Sequence, residues 1–116
     1  METVQSFLAA VQTANAAQEA FKAAELERVR ESEALGEKLG RFKVGDHVGG
    51  FRARGYRNPK KIRFQFDITR VYAGVAPGGQ GIVVIYSGHN GQGRQHIVDR
   101  FDLNGEVVQL AETWSV

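Results

Sequence analysis

Apolar residues change their spacing once along this chain. Over the first 39 residues they recur at a helical period. Turning about 100° per residue gathers Val4, Phe7, Ala10, Val11, Ala14, Ala17, Phe21, Ala24 and Val29 into one broad stripe, and Leu35 and Leu39 return to it. Residues 1–35 hold nine Ala and no Gly or Pro, with Gln, Glu, Lys and Leu supplying much of the rest, so little side-chain freedom is lost in a helix. Glu19/Lys22, Glu25/Arg28 and Glu27/Arg30 stand three apart with the acid first, each pair adding about 0.2–0.5 kcal/mol on an exposed face. Gly36 and Gly40 are expected to stop the helix. Glu25, Arg28 and Ser32 interrupt the centre of the stripe, which leaves the first two dozen residues as the better packing surface. Phe7, Val11 and Phe21 are its anchors. An isolated helix of this kind is marginal in water, so the leading expectation is self-association with another copy. Folding back with Phe7 and Phe21 capping an open barrel end, or docking in a partner's groove, are the other two.

From Phe42 onward the apolar period becomes two, and turn signals recur every ten or so residues. Five strands are predicted, over residues 44–53, 62–75, 82–86, 94–103 and 106–113. Ile62, Phe64, Phe66 and Ile68 alternate cleanly with Arg63, Gln65 and Asp67, so one face is buried and the other polar. Glycine-rich turns at residues 76–81 and 88–93 join the second strand to the third and the third to the fourth. Asn104-Gly105 is the strongest hairpin signal. The expected core is Val44, Val48, Ile62, Phe64, Phe66, Ile68, Val84, Tyr86, Ile97 and Phe101. The fold class is α+β: residues 1–40 form a helical oligomerisation or docking segment, and residues 41–116 form an antiparallel five-stranded barrel. Residues 52–61 are read as its one long excursion.

Phe42-Lys43-Val44-Gly45-Asp46-His47-Val48 resembles the opening strand of SH3-like barrels, the group that includes KOW-type and Tudor-type modules. A long loop after the first strand followed by three shorter hairpins is similar to the same topology. The resemblance implies a small five-stranded barrel that binds a partner. The acidic loop and paired aromatics of Pro-rich-peptide binders are missing, and Tyr56, Tyr72, Tyr86 and Trp114 do not assemble into a methyl-lysine cage. Fold likeness alone does not assign function.

Charge adds what the apolar pattern omits. Residues 41–70 carry nine Lys and Arg against Asp46 and Asp67, a net +7, while the flanking segments carry −3 and −2. Arg52, Arg54, Arg57, Lys60, Lys61 and Arg63 alternate with Phe51, Tyr56 and Phe64, a mixture that meets polyanions by phosphate contact and stacking. Arg outnumbers Lys in this cluster, which suits bidentate recognition of phosphate or carboxylate. The competing reading is that these charges are solvated strand residues or pair with the acidic helix.

Catalysis and metal binding find little footing. Ser87, His89 and Asp99 can be imagined as a triad, but His89 belongs to a Gly-rich turn with no orienting partner. His47, His89 and His96 lack metal-ligand spacing, and the chain has no Cys. No cofactor is expected, and no enzyme activity. No apolar run approaches a membrane span and the start lacks a signal-peptide pattern, so the expectation is a cytoplasmic protein. The favoured function is a binding module that contacts nucleic acid or a nucleoprotein complex through residues 52–63; the expected partners are nucleic acid or an acidic protein surface, with a homo-oligomer formed through the N-terminal helix and no membrane. The alternatives are a small phage-type accessory or inhibitor, anti-CRISPR-like, that binds an acidic protein surface, and a structural self-assembling protein.

Overall fold

The computed structural model describes residues 2–116, with side chains from residue 4 onward. A helix, α1 (Glu2–Leu39), precedes six strands: β1 (His47–Arg54), β2 (Lys60–Val75), β3 (Ile82–Asn90), β4 (Gly93–Phe101), β5 (Val107–Gln109) and β6 (Thr113–Trp114). The α+β class holds. The chain divides into two compact units between Glu31 and Ser32, so the second unit contains the last two turns of α1 together with the sheet.

The strands form one antiparallel sheet in the order β5-β4-β3-β2-β1-β6. β5 and β6 occupy opposite ends of that order, yet only residues 110–112 separate them in the chain. So short a connection spans roughly 14 Å at most, so the sheet must curl until its ends approach, giving a half-barrel. Gly50 of β1 consequently faces β4, where a Cβ on it would lie 2.8 Å from Ile97 Cγ2.

Three expectations need correction. The predicted fifth strand is two strands, because the chain leaves β4 at Gln109 and crosses to β1. Residues 43–46 form a turn, not a strand: Asp46 donates its amide to Lys43 O (3.0 Å) and accepts the Lys43 amide on Oδ2 (2.9 Å), so Val44 points to solvent at 63 % exposure. The excursion at residues 52–61 is half strand, with Arg54 paired to Lys60 and Ala53 to Lys61, and only residues 55–59 form the loop. By contrast, the Asn104-Gly105 hairpin forms as read, with Asp102 Oδ1 accepting the amides of Asn104 (2.8 Å) and Glu106 (3.0 Å).

Val48, Phe64, Phe66, Ile68, Val84, Tyr86, Ile97 and Phe101 are buried as the alternation predicts, and Ile62 is half-buried. Val71 and Ala73 join them out of phase. A β-bulge between Ile68 and Arg70 inserts Thr69, so even residues face the core before it and odd residues after it.

α1 does not stop at Gly36. That residue lies inside the helix against β2, where a Cβ would come within 2.8 Å of Tyr72 Cα, so only glycine permits the approach. Ser32 Oγ donates to Ala73 O beside it, and Leu39 and Phe42 pack on the core. Gly40 ends the helix, donating its amide to Gly36 O at 2.8 Å. On the first unit, Arg28 pairs with Glu25 at 3.0 Å, while Phe7, Val11 and Phe21 are exposed.

Candidate functional site

The β1–β2 hairpin brings the predicted basic residues together but divides them between its two faces. Phe51 pairs with Arg63 and Ala53 with Lys61, which puts Lys61 and Arg63 on the outer face, while Arg52, Arg54 and Lys60 share the other face with Ile62 and Phe64. Arg57 and Tyr56 belong to the loop over residues 55–59. Gly55 turns that loop at φ 110°, and Tyr56 makes no shelter for its ring at 103 % exposure.

Near the barrel the cations are held by neighbours. Arg52 donates to Gln92 Oε1 at 2.9 Å, Lys61 pairs with Glu112 and lies 4.6 Å over the Phe51 ring, and Arg63 stacks 5.4 Å over Trp114. Toward the tip they are not. Arg54, Arg57 and Lys60 have no ion-pair or hydrogen-bond partner among the described residues, and the helix contributes only Glu33, which pairs with Arg70 at 3.5 Å. Exposed cations and one exposed aromatic ring thus cluster at the hairpin end, where phosphate oxygens or carboxylates can reach them with little desolvation.

Trp114 anchors this arm, a role that the alternation pattern could not reveal. Its Nε1 donates to both Gly50 O (2.9 Å) and Phe64 O (3.1 Å), with the indole lying over Gly49. β6 therefore seals the free edge of β1 at the point where the hairpin leaves the barrel.

Asp99 has a structural part. It is wholly buried and accepts from Arg41 Nε (2.9 Å) and Nη2 (3.0 Å), from Tyr86 Oη (2.9 Å) and from the Ala111 amide (2.8 Å). Arg41 also donates its backbone amide to Tyr86 Oη at 2.9 Å. Burial, foremost, pushes the Tyr86 hydroxyl up to about 12. Ser87 and His89 lie on the opposite sheet face from Asp99, since β3 buries Val84, Tyr86 and Gly88 and β4 buries Ile97 and Asp99. No triad can form from these three residues. Among the described residues no three His, Asp or Glu side chains gather as a metal site, and no helix is long and apolar enough to cross a membrane.

His47 bridges β1 to β2 on the outer face. Nε2 faces Gln65 Oε1 at 2.8 Å and Nδ1 faces Asp67 Oδ1 at 2.7 Å, so only the imidazolium donates to both. The Gln65 contact first, then Asp67, raises its pKa above 6.5. A folded-state value above the unfolded one contributes stability that is fully present below about pH 6.5 and lost as pH rises through the folded value. Thermal melts near pH 5.5 and 8.5 should show a small loss at the higher pH that His47→Gln abolishes; an equal loss in that variant would assign the effect elsewhere.

Comparison with protein-family models, curated proteins and solved structures gave no match.

Proposed function

We propose that this protein is a non-enzymatic binding module that contacts nucleic acid through the end of the β1–β2 hairpin on an SH3-like barrel. The supporting observation is the cluster of unpaired Arg54, Arg57 and Lys60 beside a fully exposed Tyr56. The three cations neutralise phosphates, Arg52, Lys61 and Arg63 extend the positive track toward the barrel, and Tyr56 stacks on a base. Phosphate contacts of this kind position a strand without reading its sequence, so preference among sequences is slight. The exposed stripe of Phe7, Val11 and Phe21 associates with a second copy, and the paired arms add by avidity.

Fluorescence anisotropy with a mixed-sequence oligonucleotide tests this reading. Neutralising about four to six phosphates gives a slope of log affinity on log salt of roughly −3 to −5. Arg54→Glu with Arg57→Glu should weaken every sequence alike, and Phe7→Glu with Phe21→Glu should lower both the sedimenting mass and the apparent affinity. Absence of binding to single- and double-stranded DNA and RNA at low salt would sink the proposal. Capture of an acidic protein, lost in the same hairpin variant, would replace nucleic acid as the target.

A further inference from the structure

Beyond the hairpin, the outer face of the sheet carries a second cationic surface. Strand register sets three cross-strand rows there: Asp67, His89 and Arg94; Arg70, Ser87 and His96; Tyr72, Ile85 and Val98. The last two rows, with His89 and Arg94, line a groove of about 440 Å³, within the size range of small-molecule sites. No carboxylate lines it among the described residues, because Asp67 is engaged by His47 at 2.7 Å. Its floor is half-buried Tyr72, Ile85 and Val98.

Arg70 is held in a defined pose over that floor. Its guanidinium lies 4.3 Å from the Tyr72 ring centroid, and Nε is 3.5 Å from Glu33 Oε1. Arg70 thus lies over Tyr72 with its side chain 50 % exposed, which leaves surface on which a second flat group can stack. Arg94, His89 and His96 stand across the groove with no hydrogen-bond or ion-pair partner among the described residues. Arg70 and His96 are two strand spacings apart, about 10 Å, a span that one nucleotide bridges.

We propose that this groove binds a nucleoside phosphate, with the base stacked on Arg70 and the phosphate held by Arg94, His89 and His96. Ser87, between Arg70 and His96, offers a hydroxyl to the sugar. The site stands apart from the hairpin and does not depend on it. The nucleotide is either free or the phosphorylated end of a strand.

An amide-resolved NMR titration of the full chain with adenosine 5′-monophosphate, adenosine and inorganic phosphate tests this. Saturable shifts centred on Arg70, His89, Arg94 and His96 are expected with the monophosphate, and binding about tenfold weaker with either fragment. Arg94→Glu should weaken the monophosphate about tenfold or more while leaving the melt intact; Arg94→Gln and His96→Gln serve if the reversal disturbs folding. The hairpin variant Arg54→Glu with Arg57→Glu should leave monophosphate binding unchanged, which separates this site from the proposed function. A 5′-phosphorylated oligonucleotide that displaces the monophosphate from the same amides and binds more tightly supports the strand end as the source. Equal or weaker binding by that oligonucleotide supports the free nucleotide. No saturable shift at these amides at millimolar ligand, or equal losses from groove and hairpin reversals, would overturn the proposal.

Discussion

Replacing Asp99 with alanine is expected to lower the stability of the unit over residues 32–116 by about 3–5 kcal/mol. The carboxylate is the single acceptor on which four donors converge: two guanidinium nitrogens of Arg41, the Tyr86 hydroxyl and the Ala111 amide. Its removal leaves the Tyr86 hydroxyl and the Ala111 amide without an acceptor, and Arg41 without a counter-charge and with only the Ala111 carbonyl (2.6 Å) to donate to, in a site where Asp99 itself has 0 % exposure. Arg41 retains 30 % side-chain exposure and can recover some hydration, which places the figure toward the low end. The consequence reaches across the fold, because the network joins the chain after α1, β3, β4 and the segment between β5 and β6. At about 4–8 °C per kcal/mol, the melting temperature should fall by more than about 10 °C. Tyr86→Phe removes two hydrogen bonds, the one donated to Asp99 and the one accepted from the Arg41 amide, and should cost about 1–3 kcal/mol. An Asp99→Ala melt within the range of ordinary surface substitutions would show that packing alone holds the half-barrel closed.

Gly88→Ala should be nearly as damaging, through backbone rather than charge. Gly88 pairs with Ile68 where β2 bulges, and a Cβ there would meet the Asp67 carbonyl oxygen and lie 2.8 Å from Phe66 Cδ2. A carbonyl held in a sheet cannot swing aside as the end of a long side chain can, so the β2–β3 pairing must open or slip. We expect a loss of about 2–3 kcal/mol or more, within the upper range for overpacked sites. Hydrogen exchange should localise the loss to β2 and β3 around the bulge. The same variant should disturb the outer groove, since Thr69, Arg70 and Ser87 border this point. Native exchange rates across residues 66–70 with an unchanged melt would show that the sheet absorbs the added methyl.

The hairpin cations were legible because charge clustering needs no knowledge of packing: nine basic residues in thirty stand out wherever they fold. Their division between two faces was not, since it depends on the register of Arg54 against Lys60. The outer groove was hidden for a related reason. His89 looks like a residue of a glycine-rich turn in the linear chain while Arg94 and His96 open a strand, and only the β3–β4 ladder, extending through Asn90 and Gly93, places all three on one regular face. Val44 was misassigned because an apolar residue beside Gly45-Asp46 fits a strand start and a turn equally well by pattern, and the Asp46 side chain decides for the turn.

The sequence by itself determined the long helix, the change to strands, the Asn104-Gly105 hairpin and most of the buried alternation. Helical propensity, period two and turn chemistry act over a few residues and need no distant partner. Tertiary structure alone decided that Gly36 seats the helix on β2, that Thr69 reverses the core phase, and that Asp99 is a buried acceptor, not a surface acid. Asp99 meets Arg41 from 58 residues away, and Trp114 meets Gly50 from 64. Such contacts exist only once the sheet has curled, because a three-residue link draws its two ends together and the groups left inside must then find partners among themselves.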